Sequence, residues 1–145
     1  MIAALWWGGI SGISFVAVPM LFAKLGSPAV AGPVAARLFS LQSMAGLVLG
    51  VVLLVLLRRR ENSDNSAALQ AALVSMGWVL LAMLAAMVQE FGVAHKILTA
   101  RAAGESVRLW HGLGTALVFL QWVGAGMTLW RSLNHAPAHG QDRAS

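Results

Sequence analysis

Six polar side chains could form one site at an edge of this protein. Each lies in or near the end of a long apolar stretch: Lys24, Arg37, Gln42, Glu90, Arg108 and His111. Charged groups at the edge of a bilayer normally pair with one another or line a hydrated cavity. If the apolar stretches cross a membrane in alternating directions, all six fall at the same membrane face. Such a polar cluster could handle an ion or a small solute, or dock a partner.

Glu90 and Arg37 are the natural partners within this cluster. Glu90 is the one acidic residue close to the core of an apolar helix. A buried arginine–carboxylate pair can fix the register of two helices without binding anything else. The sequence therefore leaves two interpretations open, a structural ion pair and part of an ion or ligand site.

His111 has the widest chemical range of the six side chains. A neutral imidazole can ligate haem or copper, relay a proton, or bond a backbone carbonyl of a neighbouring helix. His95 is the nearest second candidate ligand, but it follows Glu90 on the solvent side. We therefore expect no bound cofactor or metal. Haem b or copper held through His111, with His95 or a methionine thioether beside it, is the alternative.

The composition identifies the elements that must position these groups. Apolar residues make up 59% of the 145 residues and charged residues 10%, whereas about a quarter is usual for soluble domains. Four stretches contain no charged side chain, residues 1–23, 38–57, 65–89 and 109–130. Each can cross about 30 Å of hydrocarbon as a helix. The sequence predicts an all-α, integral membrane four-helix bundle with short loops, surrounded by lipid.

We expect one transmembrane domain over residues 1–131, with helices near 2–24, 37–57, 67–98 and 107–131. Residues 132–145 carry His135 and His139 around Pro137 without apolar periodicity, which indicates a disordered polar tail. The first helix should kink at Pro19, because proline lacks the backbone donor. The freed carbonyl near Phe15 could serve packing or line a polar cavity. The chain should then turn on four helix-breaking residues, Gly26, Pro28, Gly32 and Pro33.

Small residues suggest where helices approach closely. Gly8, Gly12 and Pro19 share one face of the first helix, and Gly46 and Gly50 form a GxxxG pattern in the second. Such patterns favour tight contacts between membrane helices. The contacts could lie within the bundle or between chains, in a homo-oligomer or a membrane complex. Gly112, beside His111, could allow another close approach.

The charge pattern limits location and partners. The net charge is +5, but the basic residues flank apolar stretches and form no contiguous stripe, which argues against nucleic-acid binding. Basic residues are equally divided between the two sides of the predicted bundle. The run Arg58-Arg-Arg60 favours that side, with both termini, as cytoplasmic. The absence of cysteine excludes disulfides and thiolate sites, and no enzyme signature is present, so we expect a non-enzymatic protein.

Three motifs suggest a family. They are Val18-Pro-Met-Leu-Phe22, Ala31-Gly-Pro-Val-Ala-Ala-Arg-Leu-Phe39 and Trp110-His-Gly-Leu-Gly114. Together they resemble the bacterial domain-of-unknown-function family 4149, which is similar to the eukaryotic transmembrane protein 205 group. The resemblance implies a multi-pass protein of undefined role in the bacterial cytoplasmic (inner) membrane. It marks seven positions for testing: Pro19, Phe22, Gly32, Arg37, Phe39, His111 and Gly112.

Three functional hypotheses follow from these observations. The first is a non-enzymatic membrane protein that uses the polar cluster for small-solute or ion handling, or for partner docking. The second is a haem- or copper-binding membrane protein that uses His111. The third is an assembly subunit of a membrane complex, which would bind another helix through Gly46 and Gly50.

Overall fold

The computed structural model describes residues 1–60, 66–104 and 106–134, with only the backbone of Arg60. Over these residues the chain forms four long helices and no strand. They are α1 (Ile2–Leu25), α2 (Pro28–Arg60), α3 (Ser66–Ala102) and α4 (Arg108–Asn134). All four are long and apolar enough to cross a membrane. The predicted all-α membrane bundle is confirmed.

Two of the helices contain a π-helical segment. In α1 the segment Gly12–Ala17 separates the α-helical parts Ile2–Ser11 and Val18–Leu25. Its position just before Pro19 fits the missing amide of that proline, which cannot complete an α-helical hydrogen bond. The kink predicted at Pro19 stays a prediction; the structure has a π-helical segment, a widened turn, directly before that residue. In α3 the segment Val88–Ala94 separates Ser66–Met87 from His95–Ala102.

The connection between α1 and α2 is shorter than the sequence predicted. Gly26 adopts a left-handed conformation with φ of 60°, which glycine reaches without the usual steric cost. Ser27 follows, and Pro28 already opens α2. The prediction that α2 begins near residue 37 was wrong, because a first-turn proline suits a helix start and the following alanines favour helix. Gly32 and Pro33 lie inside α2 and not in the turn.

At the other end of the chain, α4 continues to Asn134. Residues 132–134, which the sequence assigned to a disordered tail, are therefore helical. The remainder of the predicted tail, with His135 and His139, lies outside the described residues.

The four helices form an antiparallel ring. Within the described residues α1 packs on α2 and α4, and α3 packs on α2 and α4, while the backbones of diagonal helices do not come close to each other. Large apolar side chains on the outer surface are widely exposed. That arrangement fits a bundle immersed in lipid, because lipid can cover the exposed apolar surface.

The core depends on glycines that admit large side chains from facing helices. A Cβ added at Gly46 would lie 2.9 Å from Nε1 of Trp6, and one at Gly50 would lie 2.6 Å from Met83. The GxxxG pattern therefore packs inside the bundle. This corrects the hypothesis that Gly46 and Gly50 bind a helix of another protein, because Trp6 and Met83 already occupy that surface.

Other glycines predicted to pack lie on the outer surface instead. No neighbour comes within 4 Å of a Cβ built at Gly8, Gly12 or Gly112, and Pro19 is exposed. The packing role predicted for these four positions was wrong within a single chain. The reason in α1 is that the larger Trp6 and Ile10 fill the core, which turns the glycine face outward.

Candidate functional site

Three glutamines from three helices lie buried inside the bundle. Gln42 of α2 is 5% exposed, Gln89 of α3 is 8% exposed and Gln121 of α4 is 0% exposed. Gln121 is also the central residue of α4. Burying an amide is unfavourable unless its donors and acceptors are hydrogen-bonded. The partners of these three side chains therefore determine what the interior of the bundle can do.

Gln42 has one weak partner from α1. Ser14 Oγ donates to Gln42 Oε1 over 3.4 Å, a long distance for an O–H donor. Ser14 lies within the π-helical segment of α1. Gln42 Nε2 has no hydrogen-bond partner among the described residues. Both N–H donors of this amide are thus left without a bond to the described residues.

Gln89 lies against the backbone of α4. A Cβ added at Gly114 would lie 3.4 Å from Gln89 Nε2 and 3.5 Å from its Oε1. Because Gly114 has no side chain, the Gln89 amide can pack directly against the backbone of α4. Gln89 Oε1 is buried without a hydrogen-bond partner in the described structure.

Gln121 is the least satisfied of the three. Neither its Nε2 nor its Oε1 has a hydrogen-bond partner in the described part of the chain. Its neighbour Trp122 donates from Nε1 to Ser11 Oγ over 2.9 Å. That bond links the centre of α4 to Ser11 of α1, three residues before Ser14.

Glu90 adds a carboxylate to this region. Ser40 Oγ donates to Glu90 Oε1 over 2.6 Å, which is typical of a short charge-assisted bond to a carboxylate. Glu90 is half-buried and, like Gln89, lies in the π-helical segment of α3. Segments of this kind are frequent at functional sites.

These residues form a group that we call the polar belt. It contains hydroxyl, amide and carboxylate groups from all four helices: Ser14, Ser40, Gln42, Gln89, Glu90 and Gln121. Ser40, Gln42, Gln89 and Glu90 lie close to the ends of the charge-free stretches 38–57 and 65–89, whereas Gln121 lies in the middle of α4. Its hydroxyls and amides can donate and accept hydrogen bonds, and its carboxylate supplies one negative charge.

The ion pair predicted between Glu90 and Arg37 is not formed. Arg37 is exposed, and Glu90 instead accepts the hydrogen bond of Ser40. The helices α2 and α3, which carry Arg37 and Glu90, do contact each other here, since Ser40 is only one turn beyond Arg37. A long arginine side chain can extend from such a position toward water and keep its hydration.

The remaining members of the predicted cluster are not gathered around the belt. Lys24, Arg108 and His111 are exposed, and so is His95. Thr115 Oγ1 donates to the backbone carbonyl of His111, a bond that does not involve the imidazole. Within residues 1–60, 66–104 and 106–134, no three His, Cys, Asp or Glu side chains lie together as a metal-binding group.

Sequence reasoning found Gln42 and Glu90 but missed the rest of the belt. Gln89 ends a charge-free stretch and Gln121 lies inside one, so the charge pattern singles out neither. The available signal is the polar side chain itself, because an amide is costly to expose to lipid and is expected to face the interior of a bundle.

An aromatic cluster joins α1 and α4 beside the belt. The Trp122 ring lies 5.5 Å from Trp7 and 5.9 Å from Phe15, centroid to centroid. Trp7 and Trp122 also line an open apolar groove of about 360 Å³ with Gly126, Met127, Trp130 and Leu133. The cluster holds the two helices together on the side of Gln121.

At the far end of the bundle, Arg131 links α4 to α3. Its Nε donates to Ser75 Oγ over 3.1 Å and its Nη2 to the Ala71 carbonyl over 3.3 Å. A cation in the last turn of a helix is also stabilised by the helix dipole.

Comparison with known proteins gives a family but no characterised relative. No curated protein and no solved structure matches the chain. Residues 1–106 match the family described as "Domain of unknown function (DUF4149)". The matched region includes α1, α2 and α3, with the motifs at 18–22 and 31–39, whereas the motif at 110–114 lies beyond it. Because the match covers well over half of the sequence, this chain belongs to the DUF4149 family.

Proposed function

We propose that this membrane protein binds a small polar solute or an ion at the polar belt, inside its four-helix bundle, and catalyses no reaction. The observation that carries the proposal is the fully buried Gln121, whose amide nitrogen and oxygen both lack a partner among the described residues. Each buried unsatisfied group costs about 1–3 kcal/mol. A bound solute that donates and accepts hydrogen bonds would remove that cost.

The unpartnered groups of the belt define the class of solute. Gln42 Nε2 and Gln121 Nε2 are donors, and Gln89 Oε1 and Gln121 Oε1 are acceptors. The carboxylate of Glu90 disfavours an anion nearby, because like charges repel strongly in a medium of low dielectric constant. We therefore propose a neutral or cationic solute with few heavy atoms.

The location of the protein is part of the same proposal. We place it in the bacterial cytoplasmic membrane as a multi-pass protein with cytoplasmic termini. Arg58 and Arg59 at the end of α2, together with Arg131 at the end of α4, support this orientation. Basic residues are enriched at the cytoplasmic ends of membrane helices.

Thermal unfolding in detergent tests the binding proposal. A ligand that binds only the folded state raises the unfolding temperature, and the six tryptophans provide the fluorescence signal. The probes are acetamide, glycerol, Na⁺ and K⁺, each measured with the wild-type protein, Gln121→Leu and Gln70→Leu. Gln70 is the control because it is an exposed glutamine of α3.

We expect at least one probe to stabilise the wild-type protein and Gln70→Leu but not Gln121→Leu. General effects of a solute on detergent or protein act equally on all three proteins and cancel in this comparison. Equal shifts in the three proteins for every probe would contradict the proposal.

A further inference from the structure

The carboxylate of Glu90 stands out because no other carboxylate side chain lies within the described residues. The other acidic residues are at positions 61, 64, 105 and 142, outside the described ranges. Glu90 lies in an apolar helix that can span a membrane. Ionisable residues in such helices are costly and normally mark a pathway, a relay or a bound counter-ion.

No cation of the protein neutralises Glu90 in the described structure. Its hydrogen-bond partner is the neutral hydroxyl of Ser40, and the nearby Arg37 is exposed. A hydroxyl donor stabilises a carboxylate but leaves its full negative charge in place. A negative charge in an environment of low dielectric constant is stabilised by a nearby cation.

The groups around Glu90 are hard oxygen ligands. The Glu90 carboxylate keeps one oxygen free of the Ser40 bond, and the hydroxyl oxygen of Ser40 keeps its lone pairs while its proton is donated. Gln89, the preceding residue, faces Gly114 of α4 instead, so Glu90 and Ser40 supply the ligands. Carboxylate, hydroxyl and carbonyl oxygens suit alkali and alkaline-earth cations and not soft metals.

From this arrangement we propose that Glu90 and Ser40 bind an alkali cation. One carboxylate neutralises one monovalent charge, whereas a divalent cation would leave a net positive charge inside the bundle. The inference rests on the proposed function and specifies its ligand at the Glu90 end of the polar belt. The site also differs from the predicted cluster, because the bound cation takes the place that Arg37 was expected to hold.

The test measures whether the stability of the detergent-solubilised protein depends on cation identity. Thermal unfolding is recorded in NaCl, KCl and N-methyl-D-glucamine chloride at one ionic strength, so that charge screening is constant. At a hundredfold excess over Kd, a bound alkali cation should raise the unfolding temperature by roughly 5–10 °C. Direct binding of ²²Na⁺ or ⁸⁶Rb⁺ to the immobilised protein gives a second readout.

Two substitutions remove parts of the site. Glu90→Gln keeps the size of the side chain and an acceptor for Ser40 but removes the charge, so the dependence on cation identity should vanish. Ser40→Ala removes one ligand and should weaken the apparent affinity about tenfold, the equivalent of roughly 1.4 kcal/mol. Lys96→Gln is the control, because Lys96 is an exposed charge on the same helix and its loss should change nothing.

The inference is overturned if the wild-type protein behaves identically in all three salts and binds neither isotope. It is also overturned if Glu90→Gln retains the cation effect. Should Glu90→Gln fail to fold, isotope binding by the wild-type protein and Ser40→Ala still decides the question.

The proposed function can still hold if the alkali-cation proposal fails. A shift with acetamide or glycerol that depends on Gln121, without any dependence on cation identity, would support a belt that binds a neutral solute. A cation effect that depends on Glu90 but not on Gln121 would instead support the cation site. Ligand binding would then be restricted to the Glu90 end of the polar belt.

Discussion

Trp122 of α4 donates its indole N–H to the hydroxyl of Ser11 on α1 over 2.9 Å. Ser11 in turn donates to the backbone carbonyl of Trp7 over 2.8 Å. The bond between the two side chains joins the first and last helices of the ring near their middle. Gln121 precedes Trp122 in α4, so the bond also restrains the position of Gln121 relative to α1.

The Trp122–Ser11 bond should contribute measurably to stability. Trp122→Phe and Ser11→Ala each remove it, and a hydrogen bond of this kind contributes about 0.5–1.5 kcal/mol. Because both substitutions remove the same bond, the double variant should lose less stability than the sum of the two single losses. Unfolding of the four proteins by denaturant in detergent measures the coupling. Strictly additive losses would show that the bond is energetically silent.

Replacing Gln121 with methionine should stabilise the bundle. Methionine has a similar length and no unsatisfied amide, so the gain should be about 1–3 kcal/mol in the absence of ligand. Gln70→Met is the matched control, since an exposed substitution changes stability by no more than about 0.5 kcal/mol. Unfolding free energies of both variants give the answer. A loss of stability in Gln121→Met would mean that the amide is satisfied in the folded protein.

Gly124→Ala should destabilise the contact between α3 and α4. A Cβ at this position would lie 2.9 Å from the Cβ of Ala82 and 3.1 Å from the backbone oxygen of Trp78. Backbone atoms cannot yield easily, so we expect a loss of roughly 1–3 kcal/mol.

Gly77→Ala is the control for this substitution. No neighbour lies within 4 Å of a Cβ built at Gly77, and alanine favours helix over glycine by about 1 kcal/mol. The free energy of unfolding should therefore decrease for Gly124→Ala and increase for Gly77→Ala. The same direction in both would contradict the close packing at Gly124.

His111→Ala should leave the stability of the protein unchanged within about 0.5 kcal/mol, because the side chain is exposed. The variant also tests the haem or copper hypothesis. We expect the absorption spectra of oxidised and reduced protein, and the metal content, to be the same with and without His111. A Soret band or stoichiometric copper that disappears in the variant would instead establish a cofactor at this position.

The membrane fold could be predicted because it depends on the length and polarity of whole segments. The four charge-free stretches correspond to α1, α2, α3 and α4. The start of α2 could not be predicted, because proline is compatible with two structures, a turn and the first turn of a helix. Pro28 adopts the second, and the sequence around it carries no signal that separates them.

The candidate site was only partly predictable for a different reason. Helical spacing alone does not give the rotation of one helix against the next, so exposed and buried polar residues look alike. Gln42 and Glu90 proved to face the bundle, while Arg37 and His111 proved to be exposed. The burial of Trp6 in the core fixes the rotation of α1 about its own axis. Trp6 fits there because Gly46 and Gly50 of α2 leave room for its ring.

The π-helical segment Val88–Ala94 holds its hydrogen-bonded turns wider than the α-helix on either side. Because an i→i+5 turn holds about one residue more than an i→i+4 turn, the segment accommodates an extra residue while Arg101 beyond it still lies beside Gly32. Deleting one residue here would restore α-helical pairing and leave the rest of α3 close to its present rotation. Only the side chains inside the segment, Gln89 and Glu90 among them, would change direction. The number of residues in this segment therefore affects the polar belt as much as their identity does.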